Sequence, residues 1–170
     1  VRGFAKGWVA AWVFGTVLIV TPGSARAQAQ GQAGGEVPVA MNRVPEAVLA
    51  AAGKAAPGVK LTKAVKTVEE GKTYYDLIGH DAQGREVDVE LNARGQVLGV
   101  GVEIPFSAVP RPVIAALRAK TRGMKFTDAE AVTLNGRLIA YRFGGETTDG
   151  DDVEATVTPD GRNVELDVDE

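Results

Sequence analysis

His80 is the only histidine of this 170-residue chain, Ser107 is the only serine beyond Ser24, and cysteine is absent. A catalytic nucleophile needs a base within hydrogen-bond reach and a third group that orients the base. His80 and Ser107 stand in separate halves of the sequence, with no such logic joining them. His80 lies in the turn-like stretch GHDAQG and reads as a solvated loop histidine rather than a pH switch. One imidazole without a thiolate cannot make a zinc or iron site. The residue types therefore point away from an enzyme and away from a bound cofactor.

Oxygen chemistry remains. The stretch DGDDVE gathers Asp149, Asp151, Asp152 and Glu154 beside a turn glycine, and calcium accepts several carboxylates on a flexible loop. The spacing departs from the twelve-residue calcium loop, because the twelfth position from Asp149 is Asp160 and no helix is expected to flank it. A charged hairpin tip that discourages edge-to-edge association is the simpler reading; if a divalent cation does bind, Asp149, Asp151 and Asp152 are its candidate ligands. Glu69 and Glu70 are neighbours, so on a strand they face opposite ways, which is wrong for sharing a proton.

These side chains need elements to hold them, and the chain writes its elements twice. With an offset of 65, Val44, Pro45, Val48, Ala50, Ala51, Gly58, Lys60, Thr62, Ala64 and Gly71 meet identical residues between Val109 and Gly136. That is ten identities over the 28 positions from Val44 to Gly71, where composition alone gives about two. One inserted residue shifts the offset to 66, after which Tyr75, Gly79, Gly84, Val87 and Gly95 meet Tyr141, Gly145, Gly150, Val153 and Gly161. Internal duplication follows.

Each unit reads as a helix followed by strands. Val44, Val48, Ala51 and Ala52, then Val109, Val113, Ala116 and Leu117, recur at helical spacing. Pro45 suits a first turn, and Ser107 could cap the second helix. Strands are expected over 60–68 and 73–79, and over 125–134 and 138–145. They are followed by hairpins in GREVDVELNARGQVLGVGV and GDDVEATVTPDGRNVELDV. Period-two alternation around glycine turns means antiparallel hairpins with one apolar face. Val87, Val89 and Leu91 face Leu98, Val100, Val102 and Ile104 in the first; Val153, Ala155 and Val157 face Val164, Leu166 and Val168 in the second. The expected fold class is α+β: two repeats of one helix plus a four-stranded antiparallel sheet, 44–104 and 109–170. Joined edge to edge they make eight strands, with both helices on one face and the other face open.

On that open face, Glu86, Asp88 and Glu90 of the first hairpin and Asp151, Asp152 and Glu154 of the second form an acidic stripe able to steer a basic partner. Tyr74, opposite in phase to Tyr75, is a candidate anchor beside them. The basic residues gather instead at the helix ends and first strands, at Lys54, Lys60, Lys63 and Lys66 and at Arg118, Lys120, Arg122 and Lys125, where cations suit a helix C-terminus.

The N-terminal 27 residues have the layout of a cleavable signal peptide: Arg2 and Lys6, the apolar run WVAAWVFGTVLIV, and Ala25 and Ala27 ahead of Gln28. The 13-residue run is shorter than the ~20 residues of a membrane-spanning helix, so stable membrane insertion is not expected after cleavage; a retained N-terminal anchor is the alternative. The stretch 28–43, rich in Gln, Gly and Ala, reads as a flexible linker. The chain carries a net charge of −3. Removing Arg2, Lys6 and Arg26 with the signal leaves −6, an acidic balance that argues against nucleic acid as a partner. Export without disulfides makes burial the source of stability.

The helix start VP..V..A, the aromatic strands YYDL and AYRF, and the hairpin G..V.V....G.VL together resemble the PepSY-like family, also described as β-lactamase-inhibitor-like. The resemblance covers Val44 to Glu170. It implies tandem helix-plus-four-strand units, a periplasmic or extracellular bacterial location, and a non-catalytic role. The β-lactamase-inhibiting protein of this architecture carries disulfides and this chain has none, a loss the fold can survive; no stretch matches an inhibitory loop residue by residue, so only the suggestion of protein binding carries over. The functional expectation is a secreted binding or inhibitory module that meets an exported protein or peptide through its open face and hairpin loops. The alternative is an envelope or matrix protein that binds divalent cations through the acidic loops of the second repeat.

Overall fold

The computed structural model describes residues 36–168; the signal segment and the first half of the expected linker, 28–35, lie outside them. Nine strands form one antiparallel sheet in chain order: β1 (Val37–Val39), β2 (Lys60–Glu69), β3 (Lys72–His80), β4 (Glu86–Asn92), β5 (Val97–Glu103), β6 (Lys125–Leu134), β7 (Arg137–Glu146), β8 (Asp152–Val157) and β9 (Val164–Val168). Helix α1 (Glu46–Ala55) precedes β2 and α2 (Arg111–Lys120) precedes β6. The sheet thus has nine strands and not eight. The extra one, β1, falls in the stretch expected to be a linker: Val37, Pro38 and Val39 pair with Lys66, Val65 and Ala64. Proline is tolerated there because β1 is an edge strand.

Each helix begins behind a proline, Pro45 or Pro110, with no side-chain cap. The capping role expected of Ser107 is therefore corrected: Ser107 lies in a short 3-10 turn, Phe106–Ala108, ahead of Pro110. Residues paired across an antiparallel ladder share a face. One row runs Val87, Val102, Ala131, Tyr141 and Val157. Val48 and Ala52 of α1 pack in one cluster with Leu77, Val87, Val89 and Leu91. Val113 and Leu117 of α2 pack in another with Tyr141, Phe143, Ala155 and Val157. Phe106 and Phe126 flank Phe143 with ring centroids 5.8 and 6.3 Å away. The expected inner row of β5 changes at a bulge opposite Glu90 and Leu91: Val97 joins the first cluster and Leu98 does not.

Among the described residues the opposite face carries no helix, yet it is not open to water. Thr67, Asp76, Ile78, Asp88, Glu90, Glu130, Val132, Ala140 and Arg142 are all buried on it. Curvature explains this. Glu69 on β2 feels the charge of Asp167 on β9, and Glu36, just before β1, acts on Glu154 of β8. In a flat sheet β2 and β9 would lie ~34 Å apart, seven steps of ~4.8 Å. The sheet therefore curls until its first and last strands approach, and the helix-free face becomes an interior. Bulges at Leu61/Lys63 and at Phe126/Asp128 supply two of the bends, and the ladder stays unclosed between β1 and β9.

Candidate functional site

The interior is organised by one arginine. Arg142, in the middle of β7, has 1 % of its side chain exposed, and four carboxylates surround its guanidinium. Nε lies 3.4 Å from Glu154 on β8, Nη1 lies 3.5 Å from Asp88 on β4 and 3.7 Å from Glu130 on β6, and Nη2 lies 3.6 Å from Glu90 on β4. Asp76 on β3 is a fifth acid, fully buried, whose charge interacts with Arg142, Asp88, Glu90 and Glu130. These separations exceed the 2.7–2.9 Å of a charge-assisted hydrogen bond. All three guanidinium nitrogens, and both carboxyl oxygens of Asp76, lack a hydrogen-bond partner within the protein. Charge attraction, more than directed bonding, holds the cluster.

Arg142 can reach β4 because β5 is bare where it crosses. Gly99 pairs with Glu90, and Gly101 pairs with Asp88 on one side and Val132 on the other. A Cβ on Gly101 would collide with Oδ1 of Asp88 and come within 2.9 Å of Oε2 of Glu130. The carboxylates occupy the space that a side chain would need.

Burial dominates the electrostatics. It pushes the carboxyl of Asp76 well above its ordinary range, and the neighbouring Asp88 charge adds to this while Arg142 opposes it. Glu130 is raised well above its ordinary value by burial and then by Asp88. Glu154, nearer the mouth, is raised to about 7 by burial, with Arg142 opposing and Asp167 adding. For Arg142, burial disfavours the charge, but the surrounding acids outweigh it and hold the guanidinium firmly protonated. At the other end of β4, burial raises Glu86, and the charges of Lys63 and His80 moderate the rise.

The sequence-derived residues divide into two groups. Glu86, Asp88 and Glu90, expected to form a water-facing acidic stripe, are 8 %, 6 % and 2 % exposed; that expectation is corrected, since curling turns their face inward. Glu154 joins them at Arg142. Tyr74 is half-buried and pairs with Asn92 on the same face. Asp149 and Asp151 stand exposed at the β7–β8 hairpin tip, with Asp152 half-buried at the start of β8. The Asp151 carboxylate accepts from Thr147 Oγ1 at 3.4 Å, and its N–H donates to the same hydroxyl at 3.1 Å. Among the described residues no group of three or more His, Cys, Asp or Glu side chains is arranged to hold a metal ion. His80 ends β3, exposed, and Ser107 is exposed far along the chain on its 3-10 turn.

Arg142, Asp76, Glu130, Gly99 and Gly101 are the interior residues that pattern reading missed. The signal was present: Arg142 has a phase opposite to Tyr141 and Phe143, and at the offset of 66 it stands where Asp76 stands in the first unit. Complementary charges at matching positions of two copies are what a shared ion cluster requires.

No family model matches the chain, and no curated protein matches it. Solved structures do. A DUF2874 family protein from Bacteroides ovatus is 16 % identical, with a TM-score of 0.51 over 73 % of this chain and 86 % of that one. A BLIP-like protein from Bacteroides fragilis is 17 % identical, with a TM-score of 0.49 over 73 % and 85 %. A DUF2874 family protein from Bacteroides uniformis is 16 % identical, with a TM-score of 0.43 over 73 % and 88 %. Among the described residues no helix is long and apolar enough to cross a membrane. At such identities the likeness is one of fold: the chain shares the architecture of the Bacteroides ovatus protein over most of both chains.

Proposed function

We propose that the chain is an exported, non-enzymatic protein-binding or inhibitory module of the PepSY-like type, built from two copies of one helix-and-four-strand unit. The two-copy reading is supported by features that recur at the offsets of the sequence repeat, 65 and then 66. These are the bulges at Leu61/Lys63 and Phe126/Asp128, the left-handed turn residues Glu70 and Asn135, and Gly79 and Gly145, each packed against the backbone of the preceding strand at Lys60 or Lys125. The export reading rests on the N-terminal layout of charge, apolar run and small residues.

The observation that carries the binding reading is the free edge at β9. Among the described residues this strand pairs only with β8, and it shows Leu166 and Val168 to solvent, 40 % and 38 % exposed. An edge strand presents a row of unpaired N–H and C=O groups on which another strand can add. Exposed apolar side chains along the edge supply contact area. Asp151 and Asp152 at the neighbouring hairpin tip and Tyr74 at the end of the interior are the sequence-derived contacts still within reach of a partner. Contact is thereby moved from the sheet face, which the sheet encloses, to its edge and tips.

Affinity capture from the native periplasm or culture fluid tests this reading. The wild type is expected to retain an exported protein or peptide, and a Leu166→Lys/Val168→Lys variant to retain roughly tenfold less, a loss of about 1.4 kcal/mol. Equal capture by both would remove the edge as the site. Capture by neither would remove the partner.

A further inference from the structure

Five carboxylates converge on one guanidinium inside the curled sheet. With all of them ionised the five acids would outnumber Arg142 by four charges. Even one unpaired buried ion costs several kcal/mol, so buried acids escape by becoming neutral. Metal is not the neutraliser that the geometry suits, since no three of the acids are arranged to hold one among the described residues. Protons are the alternative, and Asp76, fully buried with neither carboxyl oxygen hydrogen-bonded, is placed to keep one.

The seam where the sheet's ends approach has the same character. Two electrostatic contacts across it, Glu69 with Asp167 and Glu36 with Glu154, are each acid against acid. Apart from β7, which brings Arg142, each strand from β2 to β9 brings carboxylates to the interior face: Glu69 from β2, Asp76 from β3, Glu86, Asp88 and Glu90 from β4, Glu103 from β5, Glu130 from β6, Glu154 from β8 and Asp167 from β9. Against these stand Arg142 in the centre, Lys63 and His80 beside Glu86 toward one end, and Lys72 opposite Glu69 at the rim. Ionisation therefore repels both across the seam and within the cluster.

We propose that the curled sheet is a proton latch: protons held among the carboxylates around Arg142 keep the two ends of the sheet together, and their loss drives the ends apart and opens the acidic interior to water. The direction follows from burial. Glu130 and Asp76 prefer their neutral forms well beyond the ordinary carboxylate range, and Glu154 does so up to about 7. The latch therefore loosens as pH rises past neutrality. This inference does not depend on the identity, or the existence, of a partner.

The absence of cysteine makes the test direct. In the full chain, Val68→Cys on β2 and Leu166→Cys on β9, both exposed positions, take a pair of spin labels, and pulsed electron paramagnetic resonance measures their separation. The expected result is one short, narrow distance at pH 5.5 and a population longer by roughly two strand spacings, about 10 Å, at pH 8.5. Adding Glu130→Gln and Glu154→Gln, which keep the neutral shape, is expected to hold the short distance at both pH values. An unchanged wild-type distance between the two pH values would overturn the latch, and that arm decides alone if the Gln variant does not fold. Opening of the Gln variant like the wild type would also overturn it. So would closure of the wild type at pH 8.5 by millimolar calcium, which would give the cluster to a metal.

Discussion

Arg142 spans from β7 to Asp88 and Glu90 on β4 because two glycines clear β5 beneath it. Gly101→Ala puts a methyl where the Asp88 and Glu130 carboxyl groups meet. In urea unfolding it is expected to lower stability by about 2 kcal/mol, the usual cost of overpacking a filled core. Gly99→Ala meets only Cγ1 of Val132 at 3.1 Å, and the same measurement should show a smaller loss. Arg142→Met removes the one central cation and leaves buried carboxylates without a partner. It is expected to cost about 3–5 kcal/mol, and more at pH 8 than at pH 5.5, where protons substitute for the missing charge. Little of this was legible in the sequence. The alternation in REVDVEL placed Glu86, Asp88 and Glu90 on one face correctly, but phase alone does not say whether that face meets water. The lone arginine in AYRF and the glycines in LGVGV held the missing information.

Most of the elements could be read from periodicity and turn glycines, because those signals are local. Val48 and Ala52 in α1, and Val113 and Leu117 in α2, are buried at helical spacing, and the hairpin turns fall at Gly84, Gly95, Gly150 and Gly161, all with positive φ. Two of these turns also dock on a helix: a Cβ on Gly95 would stand 2.9 Å from the Ala47 carbonyl oxygen, and one on Gly161 would stand 2.9 Å from that of Pro112. Gly95→Ala and Gly161→Ala are therefore expected to lose about 2–3 kcal/mol each, from backbone strain plus a blocked helix contact. Gly84→Ala, with a similar φ but nothing within 4 Å, should lose only about 1 kcal/mol. Thermal unfolding of the three variants checks this, and equal losses would mean that the turns do not brace the helices. Strand β1 escaped sequence reading because three residues, VPV, make no period, and the Leu98 bulge escaped it because a slip of register leaves no mark in an apolar run.

Curling is the property that local patterns could not show. It depends on bulges, bare glycines and an ion cluster contributed by strands distant in the sequence. Its consequence is a stability that depends on pH in a definite direction. Glu154, Glu130 and Asp76 have raised folded-state affinities for protons, so the native chain binds more protons than the unfolded one, and stability falls as pH rises. The loss begins above the ordinary carboxylate range near 4.5 and continues through about 7, where Glu154 titrates. The Tm at pH 5.5 should exceed that at pH 8.5 by about 5 °C or more, and Glu154→Gln should flatten the difference. The enclosed face itself can be probed with a single thiol on this cysteine-free chain. Thr67 lies on that face, 2 % exposed, while Lys63 on the same strand is exposed. At pH 5.5 a Thr67→Cys variant should react with a pyridyl disulfide at least ~100-fold more slowly than Lys63→Cys, because the reagent must wait for the sheet to open. Equal rates at the two positions would mean that the face lies open to water and that the acids around Arg142 are not an interior.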